Sequence, residues 1–200
     1  MTAIPNSPNP ALLAALDARR SVPARQLSGP GPTPDQLRRM LDSAVRVPDH
    51  GKRVPFRFLA ISGSARDALG EAVAARGLAL HPDAGEAAAE KDRNRFLHAP
   101  LVLTVVAVLD PGDEVIPAQE RLLTAGCACF ALLQAAQALG FGATWLTGWP
   151  AYDAEVKALL GLGTDERIAG FIHIGTPRLT PPERDRPDPS ILLREWTPST

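Results

Sequence analysis

Residues 101–109 read LVLTVVAVL, and residues 118–148 read AQERLLTAGCACFALLQAAQALGFGATWLTG. The first stretch is continuously apolar and rich in β-branched side chains, which predicts a buried strand. The second begins with the longest helical pattern of the chain, which Gly140 ends near residue 139. A strand over residues 141–147 follows directly. This order predicts a central sheet that packs against one long helix.

The long helix contains many small residues. They are Ala125, Gly126, Ala128, Ala135 and Ala136. Small side chains permit another backbone to approach closely, which suits a helix packed against other helices or against a partner subunit. An ordinary core helix is an equally good interpretation of the same residues.

Helices and strands alternate through the rest of the chain. The patterns predict helices over residues 11–18, from 34 to before Pro48, 64–76, 83–97 and between Asp153 and Gly161, with strands over residues 56–61 and 168–174. The fold class is therefore α+β, a central sheet flanked by helices. Such alternation can also indicate a doubly wound parallel sheet. No G-x-G-x-x-G motif follows an early strand, which argues against a dinucleotide-binding Rossmann unit.

The helix that begins at Pro34 has the clearest start signal. Thr33 is a good N-cap, and Gln36 can reach back to complete a capping box. Its predicted buried face consists of Leu37, Met40, Leu41, Ala44 and Val45.

Composition and length predict one domain, over residues 11–176. Residues 1–10 and 177–200 are proline-rich and predict extended segments at either end. The 21 Lys and Arg residues balance the 22 Asp and Glu residues without a basic stripe, so a nucleic-acid partner is not expected. The longest apolar run is too short to span a membrane, which needs about 20 residues.

Cellular location follows from the cysteines and the N-terminus. Cys127 and Cys129 are two apart in a helical pattern and cannot bridge easily, which favours a reducing compartment. No secretory signal is recognisable, so the cytoplasm is expected. No set of His and Cys residues has the spacing of metal ligands, and no metal site is expected.

Two cationic clusters stand at predicted helix ends. Arg19, Arg20 and Ser21 follow the first helix, and Arg46 and His50 follow the second. Guanidinium groups match phosphate geometry, and such clusters could bind a phosphorylated planar cofactor. The alternative is ordinary positive charge that stabilises helix C-termini, with His50 as a turn residue.

The strand after the long helix ends in Trp145, Leu146, Thr147 and Gly148, between glycines that expose backbone. A planar ring could lie against this segment. With the two cationic clusters, it points to a flavin. The alternative is a buried strand end, in which Trp145 is a normal core residue.

These motifs, together with the segments 125–127 and 170–177, resemble the FMN-dependent nitroreductase family in order and spacing over residues 12–188, and within it a compact bacterial subgroup. The resemblance implies an intertwined α+β homodimer with FMN at the subunit interface. It assigns the FMN phosphate to Arg19, Arg20 and Ser21. It assigns the flavin to Trp145, Leu146, Thr147 and Gly148, and contacts with the opposite subunit's FMN to Arg46 and His50.

The resemblance further implies an enzyme that passes a hydride from NADH or NADPH through FMN to a nitroaromatic, a quinone or a similar electron-poor small molecule. No catalytic side chain is assigned, since the flavin carries out the redox step. Two alternatives stay open: a specialised flavin dehydrogenase or dehalogenase on the same fold, and a protein that binds FMN without turnover.

Three positions depart from the family pattern. A relative in the resembled subgroup has an arginine where this chain has Leu146. Arg25 is the nearest substitute for a cation that many members place near flavin N1. The C-terminal phosphate-binding pair of larger members has three available counterparts, Arg178, Arg184 and Arg186.

Overall fold

A computed structural model describes residues 7–198 of the chain. Five strands form one sheet: β1 Leu27–Ser28, β2 Phe56–Ser62, β3 Leu101–Val108, β4 Gly142–Leu146 and β5 Glu166–Pro177. Strand β5 pairs with β1, β3 and β4, and β2 pairs with β3. Every pairing is antiparallel, which excludes the doubly wound parallel sheet.

The described residues contain seven α-helices. They are α1 Pro10–Asp17, α2 Pro34–Ala44, α3 Ser64–Leu80, α4 Gly85–Arg93, α5 Ala118–Ala138, α6 Ala154–Leu159 and α7 Pro189–Leu192. Helix α5 packs with α2 on one face of the sheet, where Met40, Leu103, Leu132 and Ile172 are buried. Helices α3 and α6 cover the other face. The α+β class predicted from the sequence is confirmed.

Local signals predicted the starts of α2 and α6 correctly. The Gln36 N–H donates to Thr33 Oγ1 at 3.3 Å, and the Thr33 N–H donates to Gln36 Oε1 at 2.9 Å, so the capping box is present. Asp153 Oδ1 accepts from the N–H groups of Glu155 and Val156, both at 3.0 Å, and caps α6 as predicted.

The predicted buried face of α2 was wrong at Val45. Met40 and Ala44 are fully buried, but the Val45 side chain is 51% exposed. The cause is that α2 ends at Ala44 and Val45 is its C-cap, from which the chain turns away.

The chain ends differ in detail from the predicted extended segments. Helix α1 begins at Pro10, β5 continues to Pro177, and Pro189–Leu192 form a short helix capped by Asp188. Residues 1–6 and 199–200 lie outside the described residues. The division into 1–10, 11–176 and 177–200 stays a prediction.

Strand β5 carries a buried histidine, His173, which packs against the turn after α4. His173 is 0% exposed, and its ring stacks on Phe96 with 6.2 Å between centroids. Within the described residues neither ring nitrogen has a hydrogen-bond partner. Burial, together with the positive charges of His98 and Arg95, lowers the pKa of His173 to about 4. The imidazole is therefore neutral in the folded protein near neutral pH.

Replacing His173 with Phe should remove an acid-sensitive part of the folding stability. Because the folded-state pKa is depressed, the unfolded chain takes up the proton first, and stability falls as the pH drops from the ordinary value of 6.5 to about 4. The loss over that window is at most about 3 kcal/mol. Urea unfolding at two pH values measures it, with the exposed His81→Gln as control. Equal pH dependence in His173→Phe and the wild type would contradict the prediction.

Candidate functional site

The end of α1 and the proline-rich tail meet in a cluster of arginines. Arg19, Arg20 and Ser21 line a small cavity of about 110 Å³ with Arg184 and Arg186 of the tail. We call Arg19, Arg20, Arg184 and Arg186 the arginine cluster. Arg19 Nη1 donates to Ser21 Oγ at 3.3 Å, so the hydroxyl is held among the guanidinium groups.

The arginine cluster has more positive charge than its partners neutralise. Burial lowers the pKa of Arg19, and the neighbouring Arg186, Arg184 and Arg20 lower it further. Glu183 pairs with Arg20 and with Arg186, and it is the one carboxylate paired with the cluster in the described part of the chain. An anion with several oxygens would offset this repulsion by accepting charge-assisted hydrogen bonds.

Trp145, at the end of β4, lies between two small residues of different elements. Its Nε1 donates to the Ala169 carbonyl at 3.1 Å. The indole covers Gly170 of β5 so closely that a Cβ there would overlap the ring. On the side of α5, a Cβ at Gly126 would lie 3.8 Å from the ring, in ordinary contact.

Two open cavities meet at Trp145. The Trp145 cavity, of about 770 Å³, is lined by Leu122, Leu123, Thr147, Tyr152, Lys157 and Arg167 among others. The helix groove, of about 1070 Å³, runs along α1 and α5 and includes Leu12, Leu16, Arg46, Val47, Leu123 and Phe130. Leu123, Gly126 and Trp145 line both spaces.

The remaining residues of the predicted ring segment lie around these cavities. Thr147 lines the Trp145 cavity, whereas Leu146 pairs with Phe171 and is 36% exposed. Gly148 has a positive φ of 76°, and a Cβ there would lie 3.1 Å from the guanidinium of Arg95. Its backbone conformation therefore favours glycine.

Arg46 and His50 take different positions. Arg46 lines the helix groove with Trp145 and has no ion pair in residues 7–198. His50 Nδ1 lies 2.7 Å from Glu120 Oε2, in the first turn of α5. Thr124 donates to the Pro48 carbonyl at 3.1 Å. The turn after α2 is thus bound along α5.

The loop after His50 has a strained backbone. Lys52 and Val54 have positive φ values of 53° and 48°. The N–H groups of Arg53 and Val54 donate to the Asp49 carboxylate at 3.0 and 2.8 Å, which holds this conformation. Positive φ at non-glycine residues is costly and concentrates at functional sites.

An ion-pair network attaches the same loop to α5. Arg53 pairs with Asp113 at 2.9 Å, and the buried Arg121 pairs with Asp113 at 2.5 Å. Burial alone would raise the pKa of Asp113, but the N–H groups of Ile116 and Val115 and both arginines lower it to about 2. The carboxylate is therefore charged at neutral pH.

Comparison with known proteins identifies the family. The model of the nitroreductase family matches residues 16–176. The chain belongs to the nitroreductase family. It is 36% identical over 161 residues to "Putative NAD(P)H nitroreductase YdjA" of Escherichia coli strain K12, covering 80% of this chain and 85% of that protein.

Solved nitroreductases have the same fold. A nitroreductase-like family protein from Bacillus cereus matches with a TM-score of 0.79 and 23% identity, over 97% of this chain and 99% of the other. A nitroreductase with bound FMN from Bacteroides fragilis matches with a TM-score of 0.71 and 21% identity, over 92% and 98%. The nitroreductase fold expected from the sequence is confirmed.

Two features of the candidate site depend on the folded chain and not on a local sequence signal. Of the three tail arginines considered, Arg184 and Arg186 join the arginine cluster, and only the folded tail reveals which. The close packing of the Trp145 indole on Gly170 also had no sequence signal. The pKa of His98 is lowered mainly by burial and further by the positive charge of Arg25. Arg25, which was considered as a cation near the flavin, therefore lies close to His98.

In the described range no helix is long and apolar enough to cross a membrane.

Replacing Gly170 with Ala should displace the Trp145 indole. The added Cβ would overlap the ring, whereas Gly126→Ala places its Cβ at an ordinary contact distance on the other side. We expect Gly170→Ala to change the near-ultraviolet circular dichroism and to lower the free energy of unfolding by about 1–3 kcal/mol. Gly126→Ala should leave the spectrum unchanged. Identical spectra for Gly170→Ala and the wild type would contradict the packing described here.

Proposed function

We propose that this protein is an FMN-dependent NAD(P)H oxidoreductase of the nitroreductase type, active as a homodimer. The observation that carries the proposal is the arginine cluster, in which four guanidinium groups and the Ser21 hydroxyl surround a cavity with excess positive charge. Family membership supports it, as do the name of the E. coli relative and the FMN bound to the B. fragilis protein.

The residues present fit a flavin mononucleotide. The arginine cluster suits a phosphate, since planar guanidinium groups bind its oxygens in pairs. Arg19, Arg20 and Ser21 would hold that phosphate, and Arg184 and Arg186 would join them. Trp145, Leu146, Thr147 and Gly148 would contact the ring, because Trp145 and Thr147 line a cavity of sufficient size. Gly148 follows them and is exposed, without a side chain to cover its backbone.

When bound, FMN would take a hydride from NAD(P)H at N5 and pass two electrons to an electron-poor acceptor such as a nitroaromatic or a quinone. The protein residues would fix the orientation of the cofactor and exclude water from one face of it. We assign no side chain the role of a catalytic acid or base.

The homodimer belongs to the same proposal. Leu12, Leu13, Leu16, Leu123 and Phe130 are between 42% and 62% exposed around the helix groove. A contiguous apolar surface of this kind marks an interaction site. A second copy would cover it and would bring its own Arg46 and His50 toward the cofactor of the first.

A second candidate function is FMN binding without turnover. The observation that favours it is Leu146, which replaces an arginine found in a relative. Arg25, the nearest substitute for a separate cation near flavin N1, lies near His98.

Neutralising the tail arginines Arg184 and Arg186 should weaken the binding of FMN but not that of riboflavin. The double variant Arg184→Gln/Arg186→Gln removes charge-assisted hydrogen bonds, and we expect the Kd for FMN to rise roughly ten- to hundredfold. Riboflavin, which lacks the phosphate, should bind the variant and the wild type equally. Arg178→Gln alters an exposed arginine outside the cluster and serves as control. Fluorescence titration measures all three proteins, and an equal loss for riboflavin would refute the phosphate assignment.

The redox function is tested by absorbance under anaerobic conditions. The FMN-loaded protein should lose its flavin bands on addition of NADH or NADPH, and a nitroaromatic or a quinone should restore them. Bands that persist with both nucleotides would favour the binding protein over the reductase. Failure to retain FMN would overturn the cofactor assignment.

A further inference from the structure

The Trp145 cavity is lined by two cationic side chains that form no ion pair within the described residues. Lys157 comes from α6 and Arg167 from the first residues of β5, and both line the cavity. In the described residues neither side chain has a carboxylate within salt-bridge distance, although neighbouring arginines do. Arg57 pairs with Glu166 at 2.6 Å, and Arg76 pairs with Asp153 at 3.0 Å.

The other walls of the cavity suit a planar aromatic molecule. Trp145 and Tyr152 provide aromatic surfaces, and Leu122, Leu123 and Ile168 provide aliphatic ones. Tyr152 is 72% exposed and lies outside the apolar surface proposed to meet a second copy, so within the described chain its ring is open to a ligand. A volume of about 770 Å³ lies in the range of small-molecule sites. An apolar cavity with a few converging charges binds an apolar ligand and selects its charged group.

We propose that the Trp145 cavity takes a planar aromatic molecule that carries a carboxylate or another anionic group, bound through Lys157 and Arg167. This inference rests on the proposed function, because Trp145 and Thr147 are also proposed to contact the flavin. The cavity would then hold both molecules, with the flavin ring against Trp145 and Thr147 and the ligand at Lys157 and Arg167, next to the ring with which it reacts. Two reactants could supply the anion: an acceptor with a carboxylate, or the nucleotide donor with its phosphates.

The first experiment compares two acceptors of nearly the same shape, the anionic 4-nitrobenzoate and the neutral 4-nitrobenzamide. In the double variant Lys157→Gln/Arg167→Gln, the ratio of kcat/KM for the anionic to the neutral acceptor should fall about tenfold or more. Arg38→Gln/Lys91→Gln removes the same charge from the surface outside the cavity and should keep the wild-type ratio. This control separates a local effect from the field of the whole protein.

The donor arm identifies the source of the anion. A loss of kcat/KM for NADH and NADPH, with the acceptor ratio unchanged, would assign the anion to the donor. A loss confined to 4-nitrobenzoate assigns it to the acceptor. If the double variant keeps both the wild-type acceptor ratio and the wild-type kcat/KM for NADH and NADPH, the inference is overturned and the reductase proposal stays intact.

Calorimetry without a donor gives a readout independent of turnover. Titration of the FMN-loaded protein with 4-nitrobenzoate should show binding that the double variant weakens about tenfold or more, while 4-nitrobenzamide binds both equally. If the protein retains no FMN, the same titration of the purified protein tests the cavity alone. Charge-dependent binding would then support the cavity although the proposed function had failed. Equal binding by variant and wild type would overturn the inference.

Discussion

The hydrogen bonds of strand β5 are the constraint on which the rest of the structure depends. Three strands pair with it, so one register fixes the positions of β1, β3 and β4 together. Its first half carries Arg167 and the Gly170 that supports Trp145. Its last residue leads into the tail that carries Arg184 and Arg186. A shift of one residue would turn each side chain of this strand to the opposite face of the sheet and would separate these groups.

Paired and unpaired charges serve different purposes in this protein. Arginines that join elements of the fold have carboxylate partners, as Arg57 has Glu166 and Arg121 has Asp113. The arginine cluster is different, because its four guanidinium groups share one carboxylate, Glu183, among the described residues, and burial and mutual repulsion lower the pKa of Arg19. Folding alone gives no reason to collect such charges, since repulsion and desolvation both reduce stability. Features that conflict with stability are expected where a ligand compensates for them.

Signals within a few residues of each other predicted most of the fold. Thr33 with Gln36, Gly140 and Asp153 each acts over one helical turn, and the elements that they delimit are present. Contacts between residues far apart in the chain were not predictable in this way. Alternation of helices and strands left the direction of pairing open, and the convergence of Arg19 with Arg186 depends on the path of the tail. The packing of Trp145 on Gly170 was not predictable either, because it depends on the register in which β4 pairs with β5.

Helix α5 connects the core to the surface at which cofactor and partner are proposed to meet. One face packs on the sheet, where burial raises the pKa of Cys129 to about 12, and the other leaves Leu123 and Phe130 exposed. The exposed face borders the same groove as Arg46 and Trp145. A second copy that covered Leu123 and Phe130 would therefore enclose Arg46 and Trp145 at the same time. If a cofactor contacts both copies of the chain, linkage requires reciprocity. Dimerisation would then strengthen cofactor binding by the same factor by which the cofactor strengthens the dimer.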